Sequence, residues 1–169
     1  MKKEKLIFQG KLIKVFLRNE VLPNGHKVRL EVINHIGAAL IVPFLTKDKV
    51  VMIRQYRPVI KSYIYEFPAG TLSPNEAIVS CAKRELIEES GYKGSKFTRL
   101  GYIYPAPGYT TERIDIYKAE KLTKVGVATE EDEVIETFVF TRAQVKKLLK
   151  SGKIVDAKTI AAISMSGIA

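Results

Sequence analysis

This chain of 169 residues has one cysteine, Cys81, which excludes an internal disulfide. It reads as a packing residue of a protein in the reducing cytoplasm, not as a nucleophile. No stretch approaches the roughly 20 apolar residues of a membrane-spanning helix, so no membrane partner is expected. The lysines of the opening MKKEKLIFQG precede no apolar run of signal-peptide length, so no secretory leader is expected either. Acid is the scarcer charge, 18 Asp and Glu against 28 Lys and Arg, for a net charge of +10. Such a balance attracts polyanions of any kind, nucleotides included. The cations (Lys2, Lys3, Lys5, Lys11, Lys14, Lys146, Lys147, Lys150) are nevertheless scattered, with no dense patch interleaved with aromatics. That argues against a nucleic-acid partner. Internal repeats and low-complexity tracts are also absent. With 46% apolar and 27% charged residues, the composition is that of one ordinary domain, or a domain with a small appendage.

Residues 5–35 alternate apolar and polar side chains (Leu12, Val15, Leu17; Val28, Leu30, Val32) around Pro23-Asn24-Gly25, a hairpin turn signal. These short strands form an appendage, residues 1–35, too small to bury its own face, which should pack on the main domain or on a second subunit. Residues 36–169 are read as the main domain. AALIVPF and KVVMIRQY read as buried strands, and FTRLGYIYPAPG, RIDIYKAEKL and VIETFVFT as further strands. Thr141 caps a helix with Gln144 in its first turn, and DAKTIAAISMSG reads as a last helix, both assigned to packing. Strands mixed with two or three helices predict an α/β sandwich with a mixed sheet.

The stretch GTLSPNEAIVSCAKRELIEESGY, residues 70–92, carries the chemistry. Ser73, Pro74 and Glu76 predict a helix start with a capping box, and Gly91 a stop. On that helix Glu85, Glu88 and Glu89 fall on one third of the circumference. Like charges at these spacings cost roughly 0.2–0.5 kcal/mol per pair. A hard divalent cation with oxygen ligands would compensate them. Cations held this way suit hydrolysis of a phosphoric anhydride, because they neutralise its oxygens and acidify a water.

Gly70, Glu76, Arg84-Glu85-Leu86, Glu88-Glu89 and Gly91-Tyr92 match every fixed position of the signature of the Nudix hydrolases, which the chain resembles. That resemblance implies an α/β/α sandwich from about residue 36 onward. It implies Glu85 and Glu89 as main metal ligands, with help from Glu88 and the carbonyl of Ala69, and Arg84 orienting the carboxylates. Mg2+ is the implied metal, with Mn2+ as a substitute.

MIRQYRPVIKSYIYEFPAG resembles the ADP-ribose pyrophosphatase subgroup, which implies a substrate pocket containing Arg54, Arg57 and Glu66. PAPGYTTER adds Pro107, Gly108 and Glu112 by the same resemblance. In ATEEDEVIE it implies a general base, Glu131, with Glu133 as the alternative. It also implies a homodimer whose N-terminal sheet crosses to the partner and contributes to an adenine pocket, with Phe8, Phe16 and, in the loop after it, Arg29 available. The expected activity is Mg2+-dependent hydrolysis of ADP-ribose to AMP and ribose 5-phosphate. Another nucleoside diphosphate sugar, of GDP-mannose or ADP-glucose type, is the alternative. A non-catalytic sensor would have lost metal-binding carboxylates, and none is lost.

Overall fold

The computed structural model describes residues 4–10, 13–126 and 133–168. In chain order the elements are β1 (Glu4–Gln9), β2 (Lys14–Val21), β3 (Lys27–Ile33), β4 (Ala38–Pro43), β5 (Lys49–Arg57), β6 (Ser62–Glu66) and β7 (Ala69–Thr71). Helix α1 (Ile78–Ser90) follows, then β8 (Tyr92–Ile103), β9 (Ile114–Lys124), β10 (Ile135–Thr141), α2 (Arg142–Lys150) and α3 (Ala157–Met165). Strand β4 is the spine, buried at every residue as its run of apolar side chains requires. It lies between β7, antiparallel, and β9, parallel, and β8 extends this mixed sheet beyond β9. Strands β10, β5 and β6 form a second, antiparallel sheet.

The period-2 alternation of β4 divides the core in two. Ala38, Leu40 and Val42 pack with Val145, Ala162, Ile163 and Ile168 from the α2–α3 side. Ala39 and Ile41 pack with Cys81, Ala82 and Leu86 of α1. Helices on both faces of one mixed sheet make the predicted α/β/α sandwich. Side chains such as Leu40, Ile41 and Leu86, fully removed from water, contribute on the order of 1.5–3 kcal/mol each.

The first three strands form the separate sheet expected of the appendage, with Gly25 at φ +85° in the turn between β2 and β3. Strand β1 is exposed along its whole length. The sheet is tied to the rest where the Ile33 and Thr111 amides donate to the carbonyls of Tyr109 and Ile33, at 2.8 and 3.0 Å. Arg29 belongs to β3, opposite Asn19, and not to a loop after the strands as the sequence suggested.

The start of α1 also differs from expectation. The helix begins at Ile78 after Ala77, which makes no side-chain cap, and not behind a Ser73 capping box. Asn75 sits at φ +63°, a left-handed conformation that ends any helical run begun at Pro74. One half of the box survives as a loop brace, since the Ser73 amide donates to the Glu76 carboxylate at 2.9 Å. The capping box that does form is at α2, where Thr141 and Gln144 bond each other's backbone. Gly91 ends α1 in the left-handed conformation, φ +73°, as expected.

Candidate active site

Cys81, Ala82, Glu85, Leu86, Glu89 and Ser90 are the buried residues of α1. Four of the six are apolar or small. Glu85 and Glu89 are carboxylates at 8% and 4% exposure, which water does not stabilise and which the fold alone would not select. Burial raises the pKa of Glu85, and the neighbouring Glu88 and Glu133 add to it while Arg84 opposes it. Burial pushes Glu89 up to about 8; the charges of Glu85, Glu133 and Glu66 add to this, and a hydrogen bond from the Ala69 amide (2.8 Å) offsets part of it. Burial likewise pushes the Cys81 thiol up to about 12, which keeps it protonated and inert, a packing residue as expected.

Arg84 gathers the remaining acids. It donates to Glu76 twice at 3.1 Å, to Glu85 at 2.6 Å and to Glu88 at 2.9 Å, and to the Thr71 carbonyl at 3.2 Å. Its bonds hold Glu76 below the usual carboxylate range, helped by the Ser73 amide. Glu76 therefore braces the loop and Arg84 together. Glu88, on the outer flank of α1, is partly exposed.

Strand β7 joins these carboxylates to a cavity. Its Ala69 amide holds Glu89, and Gly70 lies so close to Glu85 that a β-carbon there would stand 2.0 Å from Oε1. Ala69, Gly70 and Thr71 also line a cavity of about 360 Å³ together with Arg57, Glu112, Asp156 and Lys158. Arg57 forks onto the buried Glu66 with bonds of 2.8 and 3.0 Å. Lys158 bonds the same carboxylate, and Asp156 at 3.0 Å. Helix α3 is pinned in place to deliver it: Asp156 caps the Thr159 amide, and the Thr159 hydroxyl accepts from the Phe67 amide, one residue past Glu66.

The expected pocket residues thus separate. Arg57, Glu66, Glu112 and Ala69 come together at the cavity or its wall. Arg54 does not line it; it pairs with Glu136 at 3.2 Å and lies over the Tyr63 ring. Pro107 and Gly108 sit in a turn beside it, and the neighbouring Pro105 supplies the lining. Arg29 lines a separate groove on the N-terminal sheet, which leaves it outside this cavity. Glu133 adjoins the carboxylates through the Gln55 side chain, which donates to it at 3.5 Å. Glu131 lies outside the described residues.

Lys158, Asp156 and Gln55 escaped the reading of the sequence, which assigned the last helix to packing alone. One signal was available: a lysine in the first turn of a helix faces the positive end of the helix dipole and needs a carboxylate to hold it there.

Among the described residues no three of His, Cys, Asp or Glu are already closed around one point. Arg84 occupies Glu85 and Glu88, and Glu89 is turned to Ala69. The donors still fit a hard divalent cation: two buried carboxylates with raised pKa, a glycine that clears space for one of them, and the buried Gln55 Oε1, which has no hydrogen-bond partner among the described residues.

A carboxylate-bearing helix set against a strand turn, inside an α/β/α sandwich, defines a hydrolase of the Nudix type. The NUDIX domain model matches residues 34–163, and the chain belongs to that family. It is 35% identical over 159 residues to the ADP-ribose pyrophosphatase of Bacillus subtilis, covering 93% of this chain and 86% of that protein. A methanol dehydrogenase activator of Bacillus methanolicus is 33% identical over 163 residues, 95% of this chain and 88% of that protein. A crystal structure of an ADP compounds hydrolase superposes with a TM-score of 0.84 at 25% identity, over 97% of this chain and 89% of that one.

Proposed function

We propose that this Nudix hydrolase cleaves the diphosphate of ADP-ribose to AMP and ribose 5-phosphate, with Mg2+ as its metal and Mn2+ as a substitute. One observation carries the proposal: β7 presents its residues both to the buried Glu85 and Glu89 and to the cavity that holds Arg57 and Lys158. A diphosphate seated against Arg57 and Lys158 therefore lies next to the carboxylates. Glu85 and Glu89 would hold the metal, with Glu88 and the Ala69 carbonyl as further ligands. A cation held there would supply neutralisation of phosphate oxygens and a more acidic water.

The chain's own residues do the rest. Arg84 fixes the carboxylates in position through its bonds to Glu76, Glu85 and Glu88. Arg57, oriented by its fork on Glu66, offers its remaining Nη1 to a phosphate oxygen. Glu112 lines the cavity at its wall. Glu133, or Glu131, accepts the proton of the attacking water as its oxygen bonds to phosphorus and the bridging oxygen leaves. Gln55 and the local carboxylates favour Glu133, whose charge already acts on both buried acids.

Residues 1–35 serve a homodimer in which the N-terminal sheet meets the partner and helps hold the adenine. Leu6, Ile7, Phe8 and Leu30, all exposed on that sheet, support this role. The enzyme works in the cytoplasm.

The test is metal-dependent release of AMP from ADP-ribose, with GDP-mannose and ADP-glucose compared by kcat/KM. A higher value for ADP-ribose is expected. A preference for either rival moves the assignment to that sugar, and no hydrolysis of any of the three abolishes it.

Lys158 gives a second measurement. Without its charge Glu66 keeps Arg57 but Asp156 loses the cation it bonds, and the cavity turns against an anionic substrate. Losing a charged contact worth about 1.5–3 kcal/mol raises KM for ADP-ribose about tenfold or more in Lys158→Met. The value of kcat changes little, and Lys158→Arg restores KM. An unchanged KM in Lys158→Met removes this residue from the substrate site.

A further inference from the structure

At the opposite ends of β4 and β9, a rise of about 20 Å from Ala38 to Phe44 away from the catalytic cavity, lies a second cavity of about 530 Å³. Lys47, Lys118, Lys121 and Arg142 line it with a single carboxylate, Glu120. That carboxylate is already divided between Lys118 and Lys96, each at 2.8 Å. Among the described residues Lys47 and Lys121 have no acidic partner, and the Arg142 side chain donates to the neutral carbonyl of Gly167. Arg142 is also the first residue of α2, so the positive end of that helix adds to the field. Lys121 is held at φ +55° where the β8–β9 register skips a pair, a conformation a side-chain-bearing residue takes only at an energetic cost.

We propose that this cavity is a second anion site, for a small molecule carrying two or more phosphate charges. Its volume lies within the range of small-ligand sites. Phe44 is buried, at 7% exposure, and the Lys118 ammonium lies 4.8 Å from its ring centre, so the one aromatic of the lining offers no open face for a base. Recognition is therefore of phosphate alone, whether from inorganic pyrophosphate or from a nucleotide.

Metal-free protein in chelator takes the catalytic metal out of the measurement, and the positions of the shifts tell this site from the catalytic cavity lined by Arg57 and residues 69–71. Inorganic pyrophosphate and ADP are titrated at low salt and followed by backbone amide NMR. The expected result is saturable binding, of similar strength for both ligands, with shifts confined to the cavity lining, residues 44–47, 118–121, Arg142 and Ser166. The double variant Lys47→Ala, Lys121→Ala, folded as judged by an unchanged amide spectrum elsewhere, should bind about tenfold more weakly or worse. Shifts at Arg57 and residues 69–71, non-saturating shifts, much tighter binding of ADP than of pyrophosphate, or unchanged affinity in the double variant each overturn the proposal.

Discussion

Replacing Glu89 with Gln is expected to lower kcat for ADP-ribose at least about 100-fold, the upper end for losing a mere supporting partner of a metal ligand. The fold should survive, because an amide keeps the shape and still accepts from the Ala69 amide. The same change should alter stability in a direction that a purely structural carboxylate would not. Glu89 titrates near 4.5 when exposed in the unfolded chain and about 8 when buried in the fold. Between those values the folded protein binds more protons, so stability is fully present below about pH 4.5 and falls as pH rises through about 8. Each unit of difference is about 1.4 kcal/mol. Urea denaturation in chelator at pH 5 and pH 8 should therefore show wild-type protein weakening over this range, and Glu89→Gln weakening less. Some slope should persist in the variant, because burial raises Glu85 as well. Equal slopes in the two proteins would refute the view that Glu89 is a strained buried acid, and a wild-type kcat would remove it from the metal site.

Gly70→Ala should be nearly as damaging to turnover while costing little stability. The added methyl would stand 2.0 Å from Glu85 Oε1 and 2.1 Å from its Cδ, so the carboxylate has to leave. It is the end of a flexible side chain, and Gly70 has no positive φ, so the backbone tolerates alanine. The loss of stability should stay near the typical roughly 1 kcal/mol of a point change. The displaced Glu85 also gives up its bond to Arg84, which loosens the grip on Glu88. A fall in kcat of about 100-fold is expected, comparable to losing a supporting partner of a metal ligand, with a thermal midpoint close to wild type. Wild-type kcat in a folded Gly70→Ala protein would show that Glu85 does not need this position.

The acidic helix was legible because its information is local. Glu85 and Glu89 are four residues apart, so helical periodicity alone puts them on one stripe, and Arg84 reaches Glu88 by the same spacing. The sandwich was legible for a similar reason: β4 and β5 are apolar runs, and their neighbours carry clear caps and turns. The start of α1 was misread because Ser-Pro-Asn-Glu fits a capping box, while Asn75 takes the left-handed conformation that such a residue tolerates better than most. Arg54 and Arg57, three residues apart on one strand, looked alike in sequence. Register opposite Glu136 takes the first out of the cavity, and proximity to Glu66 brings the second in.

By itself the sequence determined the fold class, the family signature and the carboxylates on α1, since each depends on residues close together along the chain. Only the tertiary structure decided that Lys158 and Glu66, 92 residues apart, share a bond, and that Gly70 exists to clear Glu85. Contacts of that kind depend on how α3 and β7 are packed against other elements, and packing is a property of the whole assembled core.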